Sequence, residues 1–156
     1  MAELEPAHLM EVPAIQWINF NDLNLHTRLP EETAETISDA SKKADDLADE
    51  INDLVTDADS IAQEGVEENG LSDGDYAQLN EIIDELCDKR SEVLNALSDI
   101  EDGERMFDML VNDSDSPMED VEENLYQEVQ MCSSRVNELY DVTDNSIGTL
   151  ANFIDQ

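Results

Sequence analysis

Between Glu31 and Gly65, apolar residues recur at spacings of three and four: Ile37, Ala40, Ala44, Leu47, Ile51, Leu54, Ala58 and Ile61. This repeat places a narrow apolar seam on one long helix of the coiled-coil or bundle type. Pro30 precedes it and Glu31 and Glu32 open it, where a helix N-terminus favours a proline and acids. Gly65 or Asn69-Gly70 supplies a stop, and Ser72-Asp73-Gly74-Asp75 reads as a turn and the next N-cap. The seam resumes through Tyr76, Leu79, Ile83, Leu86, Arg90, Val93, Leu97 and Ile100. Ile82 and Leu94 widen it, as contact with two neighbours requires. Arg90 on the seam is expected to snorkel or to meet an inward carboxylate. Gly103 should weaken or kink the helix, with Met106, Phe107, Leu110 and Val111 forming a short continuation. Asn112 to Pro117 is a loop, and a third stripe follows: Val121, Leu125, Val129, Cys132, Val136, Leu139, Val142, Ile147, Leu150 and Ile154, with Gly148 as a weak point.

The expected helices are therefore about 31–68, about 75–102 with a short extension to 111, and about 118–154. Short connections between long helices predict an all-α fold, an elongated antiparallel three-helix bundle with coiled-coil-like packing. At about 1.5 Å per residue each helix is roughly 40–55 Å long. Residues 1–30 are different. They hold Pro6, Pro13, Pro30 and the sole tryptophan, and Ile15, Trp17, Ile18 and Phe20 read as an extended arm or short helix. The arm either lies across the bundle and caps one end of its core or projects to dock on a partner through Trp17 and Phe20. The acidic helical bundle itself spans 31–156.

Composition changes this reading most through charge: 41 acidic residues stand against 7 basic ones, a formal charge of −34. Soluble domains typically stay near about 2–8 in magnitude. Such a balance excludes direct binding to nucleic acid or an anionic membrane and favours cationic protein surfaces or divalent ions. Apolar residues at helical period argue against disorder despite the acidity. No run approaches the roughly 18 apolar residues of a membrane span, and no basic stretch followed by an apolar run marks a signal peptide. A cytoplasmic location is expected, the host cytoplasm if the chain is phage-encoded. Cys87 and Cys132 lie far apart in helical stretches and read as buried small hydrophobes in a reducing compartment.

Catalytic chemistry finds no support. Glycine-rich phosphate loops, His-Glu-x-x-His and Cys-x-x-Cys are all missing from the sequence, and His8 and His26 lack metal-ligand spacing. Asp57-Ala-Asp59 and Asp113-Ser-Asp115 open like calcium loops, but Ile61, Ala62, Pro117 and Met118 fall where a ligand or the turn glycine belongs. No catalytic residue, metal or cofactor is expected.

What remains is the acidic surface. Asp45, Asp49, Asp53 and Asp57 form an i, i+4 ladder, with Asp46, Glu50 and Asp59 beside it. The second helix repeats the arrangement with Glu81, Asp84, Glu85, Asp88 and Glu92. The third does so with Glu119, Asp120, Glu122 and Glu123, then Glu138, Asp141 and Asp144. Coiled coils normally pair flanking Glu with Lys. This chain has three lysines, so most acids go unpaired. Like charges at i, i+4 cost roughly 0.2–0.5 kcal/mol each, and Asp, a poorer helix former than Glu, supplies 21 of the 41 acids. Solubility alone needs neither. Successive i, i+4 carboxylates rise about 6 Å along a helix, and DNA carries a phosphate every ~3.4 Å per strand. Parallel acidic rows on a rigid rod therefore approach the charge density of a duplex.

In composition and rod-like helicity the chain resembles the DNA-mimic class, such as phage anti-restriction proteins and some anti-CRISPR inhibitors. The likeness rests on no motif and transfers no residue roles. It implies a DNA-mimic inhibitor whose partner is a basic DNA-binding protein: a nuclease, restriction, CRISPR, repair or regulatory protein. Two other readings use the same residues: a non-enzymatic scaffold, chaperone or coiled-coil adaptor, including a homodimer, and an immunity protein for a basic nuclease toxin. A general salt adaptation would also give high Asp and low Lys.

Overall fold

The computed structural model describes residues 7–15, 17, 18, 31–68, 70–112 and 120–155. Three helices make up the bundle: α1 (Glu31–Glu67), α2 (Asp73–Val111) and α3 (Asp120–Ile154). Helix α2 starts two residues earlier than the sequence suggested because Ser72 is its N-cap. The Asp75 amide donates to Ser72 Oγ at 3.1 Å, and the Ser72 amide donates to the Asp75 carboxylate at 3.2 Å. This is a reciprocal capping box built on Asp. Helix α1 ends where the Gly70 amide reaches back to the Gly65 carbonyl at 2.8 Å, a six-to-one bond of the kind that closes helices.

The register is antiparallel. Lys43 meets Glu92 while Glu50 meets Lys89, so α2 runs back along α1. Arg90 meets Asp144 while Phe107 packs on Tyr126, so α3 runs back along α2. Helices α1 and α3 are thus parallel, both packed on α2 and only sparsely on each other.

The arm fills the groove between them. Its Ile18 amide donates to Ser41 Oγ at 2.9 Å, the Ala14 carbonyl accepts from Arg135 at 3.3 Å, and Met10 lies against Asn145. Ala7, His8 and Leu9 sit beside Ala62 and Val66 near the far end of α1. The segment therefore runs lengthwise, opposite in direction to α1 and α3, and does not cap one end of the core. Ile15 and Ile18, three residues apart, are both buried, because an extended segment held between two helices buries what faces the groove. Phe20 and His26 lie outside the described residues.

The core follows the seams, with informative exceptions. Ser38 and Ser41 on α1 are buried under the arm, where small hydroxyls accept from the Trp17 ring nitrogen and the Ile18 amide. Leu94 does not widen the α2 seam: it is 50% exposed, and Ala96 takes the buried position. Helix α2 passes through Gly103 unbroken, since that glycine is where Ile37 of α1 presses closest. On α3 the buried stripe passes through Ser146, leaving Ile147 half-buried.

Candidate functional site

The bundle decides where each carboxylate can act. On α1, Asp46, Asp49, Glu50, Asp53 and Asp57 are exposed, whereas Asp45 and Asp59 are half-buried. The ladder is not a straight row. Each i, i+4 step turns about 40° around the helix, so the ladder winds from the flank where Asp45 is half-buried to the α2 side at Asp57. Burial, reinforced by Asp49 and Asp46, pushes the Asp45 carboxyl above its usual range.

On α2, Glu81, Asp84, Glu85 and Asp88 are exposed and Glu92 is half-buried. Together with α1 they form two acidic grooves. Asp57, Glu81 and Glu85 line one beside Ile61 and Gln78; Asp39, Glu92 and Asp99 line the other beside Lys43. A lysine bridge lies between them: Lys89 reaches Glu50 at 2.8 Å and Glu92 at 3.7 Å, and Lys43 reaches Glu92 at 3.3 Å. The hydrogen bond to Glu50 leads in raising the Lys89 pKa. Glu50 and Glu92 are thus committed to joining helices and are less open to a partner than the sequence implied.

On α3, Asp120, Glu123, Glu138, Asp141 and Asp144 are exposed, with Asp144 held by Arg90 at 2.7 Å. Arg90 therefore meets a carboxylate across the seam. Glu122 is a correction. It is 1% exposed, because it continues the buried stripe one turn before Leu125, so it offers no charge to a docking partner. Glu119 lies outside the described residues, as do Asp113 and Asp115 of the loop that resembled a calcium site. Asp57 and Asp59 are in the middle of α1, with no loop around them.

One cluster was missed: Glu104 and Asp108 on α2, facing Ser133, Cys132 and Tyr126 of α3, with Glu101 one turn from Glu104. The Tyr126 hydroxyl donates a hydrogen bond to Asp108 that, first among the causes, raises the phenol pKa to about 12. Burial raises Glu104, partly offset by a hydrogen bond from Ser133, with Glu101 and Asp108 adding repulsion. Burial, and then Glu104, pushes the Cys132 thiol up to about 11. The spacing of three and four was visible in the sequence; that the cluster faces α3 was not. Cys87 and Cys132 lie on different helices and are not bridged to each other.

The cations show a pattern that no single pair reveals. Lys43 and Lys89 join α1 to α2, Arg90 joins α2 to α3, and Arg105 pairs with Asp102 one turn away. Arg135 holds the arm's Ala14 carbonyl, and the Lys42 ammonium sits 5.1 Å from the centre of the Trp17 ring. Five of the six described cations therefore link separate elements. None lies in the last turn of a helix, where the dipole would favour it. Trp17 is held by Ser38 and Lys42 yet remains 42% exposed.

Among the described residues, no group of three or more His, Cys, Asp or Glu side chains is arranged to hold a metal ion. No helix among them is long and apolar enough to cross a membrane. No protein-family model, curated protein or solved structure matches the chain.

Proposed function

We propose that this protein is a DNA-mimic inhibitor: a rigid acidic rod that occupies the basic DNA-binding surface of a nuclease, restriction, CRISPR, repair or regulatory protein. The observation that carries this reading is the placement of the cations. They join elements of the fold and leave the outward carboxylates of α1, α2 and α3 largely unneutralised. Counting only charges within the helices, the rod of roughly 55 Å carries about one net negative charge every 2 Å. A duplex carries one per ~1.7 Å. A DNA-binding groove would meet comparable charge density on this scaffold. Binding of this kind releases counterions and weakens steeply with salt.

The test is capture of partners from a lysate at about 0.1 M salt, elution by a salt step and identification by mass spectrometry. A few DNA-binding proteins, displaced by competing duplex DNA, are expected. Replacing Asp45, Asp49, Asp53 and Asp57 by alanine or lysine should abolish the interaction, most strongly through Asp49 and Asp53 at the exposed centre of the ladder. Capture of salt-resistant helical partners alone, or inhibition that survives the fourfold replacement, would instead indicate a scaffold or adaptor. A single cognate basic toxin would indicate an immunity protein.

A further inference from the structure

The seam between α1 and α2 is bordered by carboxylates of both helices, and at its centre the chain supplies its own cations. Lys89 of α2 reaches Glu50 of α1 at 2.8 Å and Glu92 at 3.7 Å, and Lys43 of α1 reaches Glu92 at 3.3 Å. Two turns beyond Glu50, about 10 Å along α1, that supply stops. Asp57 of α1 and Glu81 and Glu85 of α2 line one open groove of about 490 Å³. All three are exposed, and none has an ion-pair or hydrogen-bond partner among the described residues.

The same groove is apolar at its base. Leu54 and Ile61 stand a turn before and a turn after Asp57 on one flank of α1, and Ile82 of α2 completes the floor. Ile82 is 9% exposed, and Leu54 and Ile61 are half-buried against the core. A small hydrated ion gains nothing from hydrocarbon beneath it. A charge carried on a hydrocarbon stem gains from both parts of such a groove. Lys89 shows this use of the seam within the chain: its ammonium joins carboxylates of two helices while its side chain is only 26% exposed. The second groove on this seam already holds such a cation, Lys43, paired with Glu92.

We propose that the groove at Asp57, Glu81 and Glu85 is the docking site for one arginine side chain of a partner protein. The aliphatic stem lies on Leu54, Ile61 and Ile82, and the guanidinium meets carboxylates of both helices. Arginine suits the place better than lysine, because its planar fork of donors can engage carboxylates on two sides while an ammonium is a compact, strongly hydrated point charge. That the partner is a DNA-binding protein rests on the mimicry proposed above, since such surfaces hold phosphate through arginine. The groove adds an anchor at one place on the rod, where charge alone would spread the contact along it.

The test titrates the full chain, with isotope-labelled isoleucine and leucine methyls, with N-acetyl-arginine methylamide at about 0.15 M salt and follows it by NMR. Saturable shifts are expected at Leu54, Ile61 and Ile82, with a dissociation constant on the order of millimolar. The lysine analogue and the bare guanidinium ion should bind more weakly, one lacking the fork and the other the stem. Glu81→Gln with Glu85→Gln should weaken arginine about tenfold, whereas Asp49→Asn with Asp53→Asn, on the ladder outside the groove, should change it less than about twofold. Silent methyls overturn the proposal. So does guanidinium binding as tightly as arginine, or an equal loss in the two double variants, which marks diffuse attraction. If arginine binds here while lysate capture returns no DNA-binding protein, the mimicry fails and the groove stands. If capture succeeds while the methyls stay silent, only the groove fails.

Discussion

Gly103→Ala offers the sharpest test of the packing, because two effects of known size oppose each other there. Alanine inside an exposed helix gains about 1 kcal/mol over glycine. At Gly103, however, a Cβ would fall deep inside the contact radius of Ile37 Cγ1 and Cδ1. Unstrained carbons rest ~3.5–4.0 Å apart. Ile37 is fully buried, and a β-branched side chain in a helix has one strongly preferred χ1, so it cannot swing aside cheaply. The overlap involves Cγ1 as well as the flexible tip, which puts the overpacking cost toward the upper end of ~1–3 kcal/mol. The net expectation is a loss of about 1–2 kcal/mol, measured by urea denaturation followed by circular dichroism. Gly148→Ala is the internal control. An added Cβ there meets nothing within 4 Å, so the same change should stabilise α3 by about 0.5–1 kcal/mol. Ile37→Ala removes the clashing atoms. Combined with Gly103→Ala it should cost less than the two single losses together, by about 1–2 kcal/mol. A Gly103→Ala protein as stable as the wild type, or an additive double variant, would refute this account of the α1–α2 contact.

The arm lock and the acid response can be checked in the same preparation. The Cys132 thiol, buried under the cleft between arm and α3 and raised to about 11, should resist alkylation in the native protein while half-buried Cys87 reacts. Ser41→Ala, which strips the Ile18 amide of its buried acceptor at a cost of about 1–3 kcal/mol, should speed labelling of Cys132 and leave Cys87 unchanged by mass spectrometry. Equal rates at both sulfurs in the wild type would contradict the closed groove. Asp45 and Glu104 have folded pKa values raised above their unfolded ones. Their contribution is therefore fully present below the ordinary carboxyl value and is lost as pH rises through the raised one. The melting temperature should climb as pH falls from neutrality toward about 4; a steady decline over that window would show that carboxylates stabilised in their charged form dominate.

The helices were legible because their seams are long and regular, and a three-four repeat carried from Ile37 to Ile61 has few other solutions. What stayed hidden depended on neighbours. Ser38 and Ser41 are polar, so apolar periodicity passes over them, yet they are the arm's receptors. Gly103 reads as a helix weakener until the antiparallel register sets Ile37 against it. Glu122 reads as surface because it is charged, although its phase belongs to the stripe of Leu125 and Val129. Asp39 and Asp99 join one groove only when residues distant in sequence are brought level. The carboxylate ladder was visible, but its winding toward α2 depends on which flank of α1 is covered.

The few cations likewise act across elements, where sequence spacing is uninformative. A helix stabilised in isolation would place lysine four residues after glutamate and again in its last turn. Among the described residues, the only such short-range bridges are the pair of Arg105 with Asp102 and the minor contact of Glu92 with Lys89, and the principal partner of Lys89 is Glu50 on another helix. Exposed pairs contribute at most about 1 kcal/mol each, so the cations do not hold the bundle together. Buried Leu, Ile, Val and Ala along three long seams do that. What the seam cations change is local: they relieve repulsion where α1 meets α2 and α2 meets α3, the places where close packing brings carboxylates nearest. Elsewhere the acids are left to repel through solvent. Core and seam together let a rod of this charge stay folded while its outer faces remain anionic.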